Sequence, residues 1–188
     1  MGFLPTPSQT VGPFFSIGLS DDPPAELVDA GDPDAIRLGG VVYDGEGEPV
    51  IDAVVEIWQA NRAGRYAHPE DTREEIPLEE GFEGFGRCGT NADGHYEFVT
   101  VRPGPVPAPD GGLQAPHIEV SVFARGLLKR VATRVYFPDE TEANEVDPLL
   151  ASIEDPADRD TLIAVSEDGG LRFDIHFQGD GQTAFLDV

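Results

Sequence analysis

Residues 114–126, QAPHIEVSVFARG, have the alternating pattern of a β-strand. Every second position on one side of this strand is apolar, namely Ile118, Val120, Val122 and Ala124. The opposite side carries His117, Glu119, Ser121, Phe123 and Arg125. The first side predicts a face that packs in a core. The second side is either a solvated surface or the floor of a site.

The alternating pattern of β-strands continues on both sides of this stretch. Further strands are predicted in IRLGGVVY (36–43), DAVVEIWQAN (52–61), HYEFVTV (95–101), KRVATRVYF (129–137) and GGLRFDIHFQG (169–179). The Gly-rich segment 44–47 predicts a turn, and PGPVPAPDGG (103–112) predicts a rigid loop. LLASIEDPADRDTLIAV (149–165) predicts short helices with Asp155 or Asp158 as a cap. Many short strands with one helical insertion predict an all-β fold, an antiparallel β-sandwich.

The length of 188 residues fits a single domain spanning residues 1–188. Residues 1–35 are rich in Pro, Gly, Asp and Ser and show no sustained period, so we expect an ordered N-terminal arm there. The β-sandwich is then expected over residues 36–188. The segment 60–93 is predicted to be a long polar loop, and loops of that length are usually functional or disordered.

The charge balance limits the partners. The chain has 36 acidic residues against 12 Lys and Arg, a net charge of -24. Nucleic acids and anionic membrane surfaces need a basic footprint, so neither is an expected partner.

Cys88 is the single cysteine, which excludes an intrachain disulfide and favours a reducing compartment. No apolar run approaches the roughly 18 residues of a membrane span. We therefore expect a cytoplasmic protein.

Histidine is the residue type that offers chemistry in this sequence. His68 and His95 lie in polar segments, and the alternation of 169–179 places His176 on an outward face, so surface positions are expected for these three. His117 differs because it shares a strand face with Glu119, and residues two apart on a strand have Cα atoms about 6.5–7 Å apart. These two side chains could reach one metal, or they could be structural. The motifs of serine hydrolases, common zinc sites and phosphate-binding loops are missing from the sequence.

Several longer segments together resemble one enzyme family. They are TPSQTVGPFF, GGVVYDGEGEPVIDAVVEIWQANRAGRY, FGRCGTNADGHYEFVTVRPGPV, APHIEVSVFARG, TRVYF and RFDIHFQGDGQTAFLDV. In this order they cover essentially the whole chain, and they are similar to the intradiol ring-cleavage dioxygenases. The resemblance implies a β-sandwich and a non-haem Fe(III) held by two tyrosines and two histidines. It also implies that O2 cleaves a catechol between its two hydroxyl groups.

The chain departs from the metal-binding pattern that the resemblance implies. Tyr66 matches the first tyrosine of the family, but Val106 stands where the second is expected. His117 matches the first histidine of an H-I-H motif, and Glu119 replaces the second. A family arginine that stabilises the bound aromatic ring corresponds here to Gln114. We call Tyr66, Val106, His117 and Glu119 the vestigial metal positions, and we predict that this chain holds no metal.

The resemblance is closest to the alpha chains of heteromeric members of the family. It implies a homologous beta chain that holds Fe(III) and cleaves protocatechuate with O2 to 3-carboxy-cis,cis-muconate. This chain would complete the substrate pocket of that partner with the positions that match the family's substrate contacts, namely Thr10, Gly12, Pro13, Phe14 and Arg125. Two alternatives stay open. One is a self-sufficient intradiol dioxygenase that uses Tyr66, His117 and Glu119, and the other is a noncatalytic β-sandwich that binds carbohydrate or protein.

Overall fold

The computed structural model describes residues 7–12, 14–19, 25–109 and 111–187. Its strands are β1 (Ala35–Tyr43), β2 (Val54–Trp58), β3 (Phe85–Gly89), β4 (His95–Val101), β5 (Val106–Pro107), β6 (Leu113–Gln114), β7 (His117–Phe123), β8 (Val131–Tyr136), β9 (Val165–Glu167), β10 (Gly170–Arg172) and β11 (Ile175–His176). Its helices are α1 (Phe14–Leu19), α2 (Thr141–Val146), α3 (Pro148–Ser152) and α4 (Pro156–Asp160). The predicted all-β class with a short helical insertion is confirmed. The division into an arm (1–35) and a sandwich (36–188) stays a prediction.

Two sheets form the sandwich. One has the order β3-β2-β7-β8 and is antiparallel throughout. In the other, β4 pairs antiparallel with one edge of β1, while β10 and then β11 pair with its other edge. The pairings of β10 and β11 with β1 are parallel, which differs from a purely antiparallel sheet. The difference has a topological reason, because strands far apart in the sequence are not restricted to hairpin connections.

The core lies between the two sheets. The predicted apolar face of β7 is confirmed, since Ile118, Val120, Val122 and Ala124 are each at most 2% exposed. These side chains belong to one buried cluster with residues of the facing sheet, including Leu38, Val42, Tyr96 and Phe98. The other face of β7 is consequently directed away from the core, toward the loops that cover the sheet.

Two predicted loops contain strands. The segment 60–93 ends in β3, which pairs with β2, so its irregular part stops before Phe85. The segment 103–112 contains β5, which pairs with β6 through Val106 and Gln114. Residues 114–126 are therefore not one continuous strand, because Gln114 belongs to β6 and β7 begins at His117. These strands are too short for periodicity in the sequence to reveal them.

The helical insertion is attached to the sheet by a buried carboxylate. Asp155 caps α4 by accepting a hydrogen bond from the Ala157 amide, whereas Asp158 lies within the first turn of that helix. Asp147 caps α3 and is fully buried. It accepts hydrogen bonds from the backbone amides of residues 149 and 150, from the Ala115 amide at 2.8 Å and from the Tyr136 hydroxyl at 3.0 Å. The segment before β7, strand β8 and helix α3 thus share one hydrogen-bonded group.

The described part of the arm lies against the end of β7. The Gly126 amide donates a hydrogen bond of 2.8 Å to Thr10 Oγ1, and the Phe15 ring lies 5.3 Å from the Phe123 ring. Among the described residues, no helix is long and apolar enough to cross a membrane.

Candidate functional site

The vestigial metal positions lie together at the start of β7. Tyr66 is on the loop that follows β2, and its ring stacks on Trp58 with 5.8 Å between centroids. A cavity of ≈ 650 Å³ is lined by Trp58, Tyr66, Val106 and Gln114, together with loop residues 68 and 70–73. Glu119 lies next to this wall, since the sheet register pairs it with Trp58. The four vestigial metal positions are therefore neighbours in space.

An arginine that the sequence did not single out occupies this cluster. Arg134 on β8 lies directly opposite Glu119 on β7. Its Nε and Nη2 atoms both lie 2.7 Å from Glu119 Oε1, and its Nη1 donates to Gln114 Oε1, also at 2.7 Å. The Arg134 side chain is only 15% exposed. The cluster thus contains a fixed internal cation, and Glu119 Oε1 is committed to it.

His117 is buried, so its placement on a surface is excluded. Its side chain is 2% exposed, and Nδ1 lies 2.7 Å from the Ala115 carbonyl oxygen. Because a carbonyl only accepts, Nδ1 carries the proton of this hydrogen bond. Nε2 lies 3.6 Å from Glu119 Oε1, and it has no hydrogen-bond partner in the described part of the chain. His117 therefore directs Nε2 at Glu119 from a distance slightly longer than a hydrogen bond.

The ionisation of Tyr66 and Glu119 differs from that of exposed groups. Burial, followed by the negative charge of Glu119, raises the pKa of Tyr66 to about 12. Tyr66 is accordingly a neutral phenol near pH 7. Burial also works to raise the pKa of Glu119, but its interactions with His117 and Arg134 outweigh burial, and the pKa is lowered. Glu119 is accordingly an anion whose charge is balanced by Arg134.

The loop that carries Tyr66 is held by its own polar contacts. The Tyr66 amide donates to Asp71 Oδ2 at 2.8 Å, and Asp71 forms an ion pair of 2.6 Å with Arg73. Hydrogen bonding by Arg73 holds the pKa of Asp71 far below its usual range. Arg73 also donates to the Gly64 carbonyl oxygen at 2.7 Å. Hydrogen bonds within the loop therefore hold Tyr66 at the cavity.

These residues do not fit a ferric ion. Val106 has no donor atom, and Glu119 Oε1 is occupied by Arg134. A second cation near a bound Fe(III) would also be repelled by it. Within the described ranges, no group of three His, Cys, Asp or Glu side chains could hold a metal ion. The donor groups at these positions therefore differ from the set of ligands that the family implies for Fe(III).

The predicted substrate-contact residues lie at the other end of β7. Arg125 follows the strand, its side chain is 60% exposed, and its Nε forms an ion pair with Asp52 Oδ2. Thr10 bonds to Gly126, the residue after Arg125, so the arm and this turn meet. Gly12 is exposed, and Phe14 begins α1. Pro13 lies outside the described residues.

The two ends of β7 cannot serve one small-molecule site. His117 and Arg125 are eight residues apart, and an extended chain of that length spans roughly 26 Å. A catechol ring with a carboxylate is much shorter than this span. The polar face of β7 therefore has two separate ends, the vestigial metal positions at one and an exposed arginine beside the arm at the other.

Of the other three histidines, His68 lies near the vestigial metal positions. His68 and His95 are exposed, as predicted, although His95 begins strand β4 rather than lying in a loop. His68 also contributes to the cavity beside Trp58, with its ring edge-on at 6.4 Å between centroids. The prediction of an outward His176 is wrong in part, because its ring is half-buried and stacks on Tyr43 at 4.7 Å.

Sequence reasoning missed two charged residues. Arg134 opposes Glu119 across a pair of strands, and Asp52 meets Arg125 just beyond the paired ends of two strands. The signal that identifies them is strand register, which the alternation of a single strand does not contain.

Comparison with known proteins gives consistent matches. A family model described as dioxygenase matches residues 11–179. The chain is 41% identical to the protocatechuate 3,4-dioxygenase alpha chain of Pseudomonas putida, over 97% of this chain and 96% of that protein. It is 38% identical to the protocatechuate 3,4-dioxygenase beta chain of Burkholderia cepacia, over 86% of this chain and 72% of that one.

Solved structures share the fold. The 3-chlorocatechol 1,2-dioxygenase of Rhodococcus opacus 1CP superposes with a TM-score of 0.60 and 19% sequence identity, over 84% of this chain and 64% of that structure. At this level of identity the likeness supports the architecture of the sandwich.

Proposed function

Because the chain belongs to the intradiol family of dioxygenases, we propose that it is the alpha subunit of a heteromeric protocatechuate 3,4-dioxygenase. Its partner is a homologous beta chain, as the similarity to chains of both kinds suggests. The family implies non-haem iron, and we assign the Fe(III) to the beta chain. A reducing cytoplasm suits a chain with one cysteine.

The observation that carries this proposal is the ion pair at the vestigial metal positions. Arg134 pairs with Glu119 through Oε1, so the carboxylate that the self-sufficient alternative would use as a ligand is already bound to a cation. Tyr66 and His117 alone would leave ferric iron with too few ligands. The noncatalytic alternative predicts no pocket formed by the arm and no need for Arg125. Against it, Thr10 of the arm is hydrogen-bonded to Gly126, next to Arg125. The proposal accounts for both ends of β7.

In this role the chain binds and orients the substrate. We assign substrate contact to Thr10, Gly12, Pro13, Phe14 and Arg125, on the surface that faces the partner's metal. The iron of the partner supplies the ring-cleavage chemistry, which converts protocatechuate and O2 to 3-carboxy-cis,cis-muconate. Arg125 offers a planar pair of N–H groups to the ring carboxylate. It also supplies a positive charge for an anionic substrate on a chain whose net charge is -24.

Replacing Arg125 in the enzyme reconstituted from both chains tests this assignment. A charge-assisted contact is worth roughly 1.5–3 kcal/mol, so Arg125→Ala lowers kcat/KM for protocatechuate by roughly ten- to a hundred-fold. Catechol, which lacks the carboxylate, changes far less. Arg125→Lys is intermediate, because it keeps the charge and loses the planar fork.

Lys129→Ala is the matched control. It removes one positive charge from the same turn region, where Lys129 is 77% exposed and pairs only loosely with Asp187 at 3.3 Å. We expect its effect on either substrate to be small. Equal losses for protocatechuate and catechol in Arg125→Ala would contradict the assignment, because they would indicate damaged assembly instead of a lost carboxylate contact.

A further inference from the structure

Asp52 lies opposite Arg125 because of the register between β2 and β7. Val54 pairs with Phe123 in this antiparallel ladder. Two residues further out, the same register places Asp52 across from Arg125, and the Nε–Oδ2 ion pair forms there. Both residues lie in turns just beyond the paired ends of β2 and β7, and these ends bring the two turns close together.

The segment that carries Asp52 is fixed to the sheet. Thr90 Oγ1 accepts a hydrogen bond of 3.0 Å from the Ala53 amide and donates one of 2.7 Å to the Val50 carbonyl oxygen. The Thr90 amide also donates to the Ala53 carbonyl oxygen at 3.0 Å. The Asp52 side chain is 17% exposed, against 60% for Arg125. Of the two charges, the carboxylate is the rigid one and the guanidinium is the adjustable one.

The Asp52 carboxylate does little to stabilise the folded chain. Asp52 Oδ1 is buried and has no hydrogen-bond partner among the residues that the structure describes. A buried acceptor without a partner is destabilising, and a single ion pair with a largely exposed arginine contributes little stability. The ion pair therefore contributes little to the stability of the fold, and its main effect is to orient the Arg125 side chain.

The geometry leaves the outer edge of Arg125 available. The ion pair uses Nε, and a guanidinium has a second edge formed by its two Nη atoms that can take a carboxylate in a bidentate manner. A cavity of ≈ 500 Å³ lies at this position and includes Asp44, Asp52, Arg125 and Phe177 in its wall. An arginine already held through Nε loses less freedom when it binds a second anion.

We propose that Asp52 is a positioning residue, which holds the Arg125 guanidinium through Nε so that its Nη edge receives the carboxylate of the substrate. This inference rests on the proposed function, since it requires Arg125 to contact that carboxylate. Asp52 itself touches no substrate. Its removal is expected to weaken recognition of a carboxylated catechol and to leave the chemistry of the ring unaffected.

The test is a double-mutant cycle in the reconstituted two-chain enzyme. Asp52→Asn, Arg125→Ala and the double variant are compared by kcat and KM for protocatechuate and for catechol. Asp52→Asn is expected to raise KM for protocatechuate roughly three- to ten-fold, with kcat and the catechol constants nearly unchanged. In the Arg125→Ala background, Asp52→Asn is expected to add no further loss, because the two residues act through one contact.

Asp44→Asn is the control for charge. Asp44 lies in the wall of the same cavity, and its Oδ1 accepts hydrogen bonds from the amides of Glu46 and Glu48, which an asparagine oxygen can still accept. It removes a negative charge without touching the ion pair, so KM for protocatechuate should not rise. Asp52→Glu, which keeps the charge but displaces the carboxylate, should raise that KM if direction matters. Thermal unfolding of each variant enzyme confirms that assembly is intact.

The outcomes separate this inference from the proposed function. If Arg125→Ala raises KM for protocatechuate selectively while Asp52→Asn and Asp52→Glu do not, the positioning role is wrong and the proposed function stands. A lower KM in Asp52→Asn also overturns the inference, because Asp52 would then mask the arginine. If Arg125→Ala fails to distinguish the two substrates, the contact assigned under the proposed function is itself wrong.

Discussion

Replacing Arg134 with methionine is expected to destabilise the chain through the carboxylate that it leaves behind. Methionine keeps much of the length of the side chain and removes its charge. Glu119 is then a mostly buried anion, 33% exposed, without the two contacts of 2.7 Å that Arg134 makes to its Oε1. Breaking one partner of a buried pair typically costs 3–5 kcal/mol. With Glu119 partly exposed, we expect a loss of about 2–4 kcal/mol in the free energy of unfolding.

The loss should depend on pH. In the wild-type chain the pKa of Glu119 is lowered, so the pair stabilises the fold above the unfolded pKa of the carboxyl group, and this contribution is lost as the pH falls through the folded pKa. In Arg134→Met, Glu119 is still buried but has lost its cation, so its protonated form is favoured. Acidification therefore reduces the destabilisation of the variant. The difference in stability between the two proteins is therefore largest near pH 7 and shrinks toward about pH 4.

Urea unfolding of the full chain, followed by far-UV circular dichroism at both pH values, measures this difference. Arg134→Met combined with Glu119→Gln should recover a large part of the loss, because no buried charge remains. Arg37→Met is the matched control, since Arg37 forms a similar ion pair with Glu97 at 2.7 Å in which the side chains are 57% and 45% exposed. That change should cost about 0–1 kcal/mol. A loss of less than about 1 kcal/mol in Arg134→Met, or a loss that does not depend on pH, would show that Glu119 does not need Arg134 as its partner.

Two further predictions concern the framework that holds the site. Asp147→Ala removes the acceptor for three backbone amides and the Tyr136 hydroxyl, so we expect the free energy of unfolding to fall by about 3–5 kcal/mol. Asp155→Ala removes one amide contact and should lower it by about 1 kcal/mol. Thermal unfolding that ranks these two variants equally would contradict the central role of Asp147. Gly64→Ala would place a Cβ 2.2 Å from the Pro105 carbonyl oxygen at a φ of 82°, while Gly47→Ala has a φ of 80° and open space. The first should lose well over about 1 kcal/mol and the second about 1 kcal/mol, and equal Tm values would show that the close approach beside Tyr66 is unimportant.

The alternating strands were predictable because their information is local. The apolar face of β7 is visible in residues 118–124, and burial confirms every member of it. The neighbourhood of Tyr66 and His117 was predictable only through the resemblance to a known family, since 51 residues of chain separate them. Nothing in either segment alone indicates that the two meet.

Features set by register and by long-range pairing were not predictable. Arg134 reaches Glu119 because β8 pairs with β7 in one particular alignment, and a shift by one residue would direct it to the other face. The same holds for Asp52 and Arg125 across β2 and β7. The parallel pairing of β10 with β1 joins segments more than a hundred residues apart, and no pattern in either segment specifies the direction.

We propose that the vestigial metal positions of this chain hold no iron and that the partner chain supplies it. The most direct measurement is the iron content and visible absorption of the full chain purified alone, beside that of the complex co-purified with the beta chain. We predict a colourless chain with substoichiometric iron, and a complex whose iron stays with the beta chain when the two are separated. A chain that alone binds about one iron, with the red-brown absorption of tyrosinate bound to Fe(III), would contradict the account.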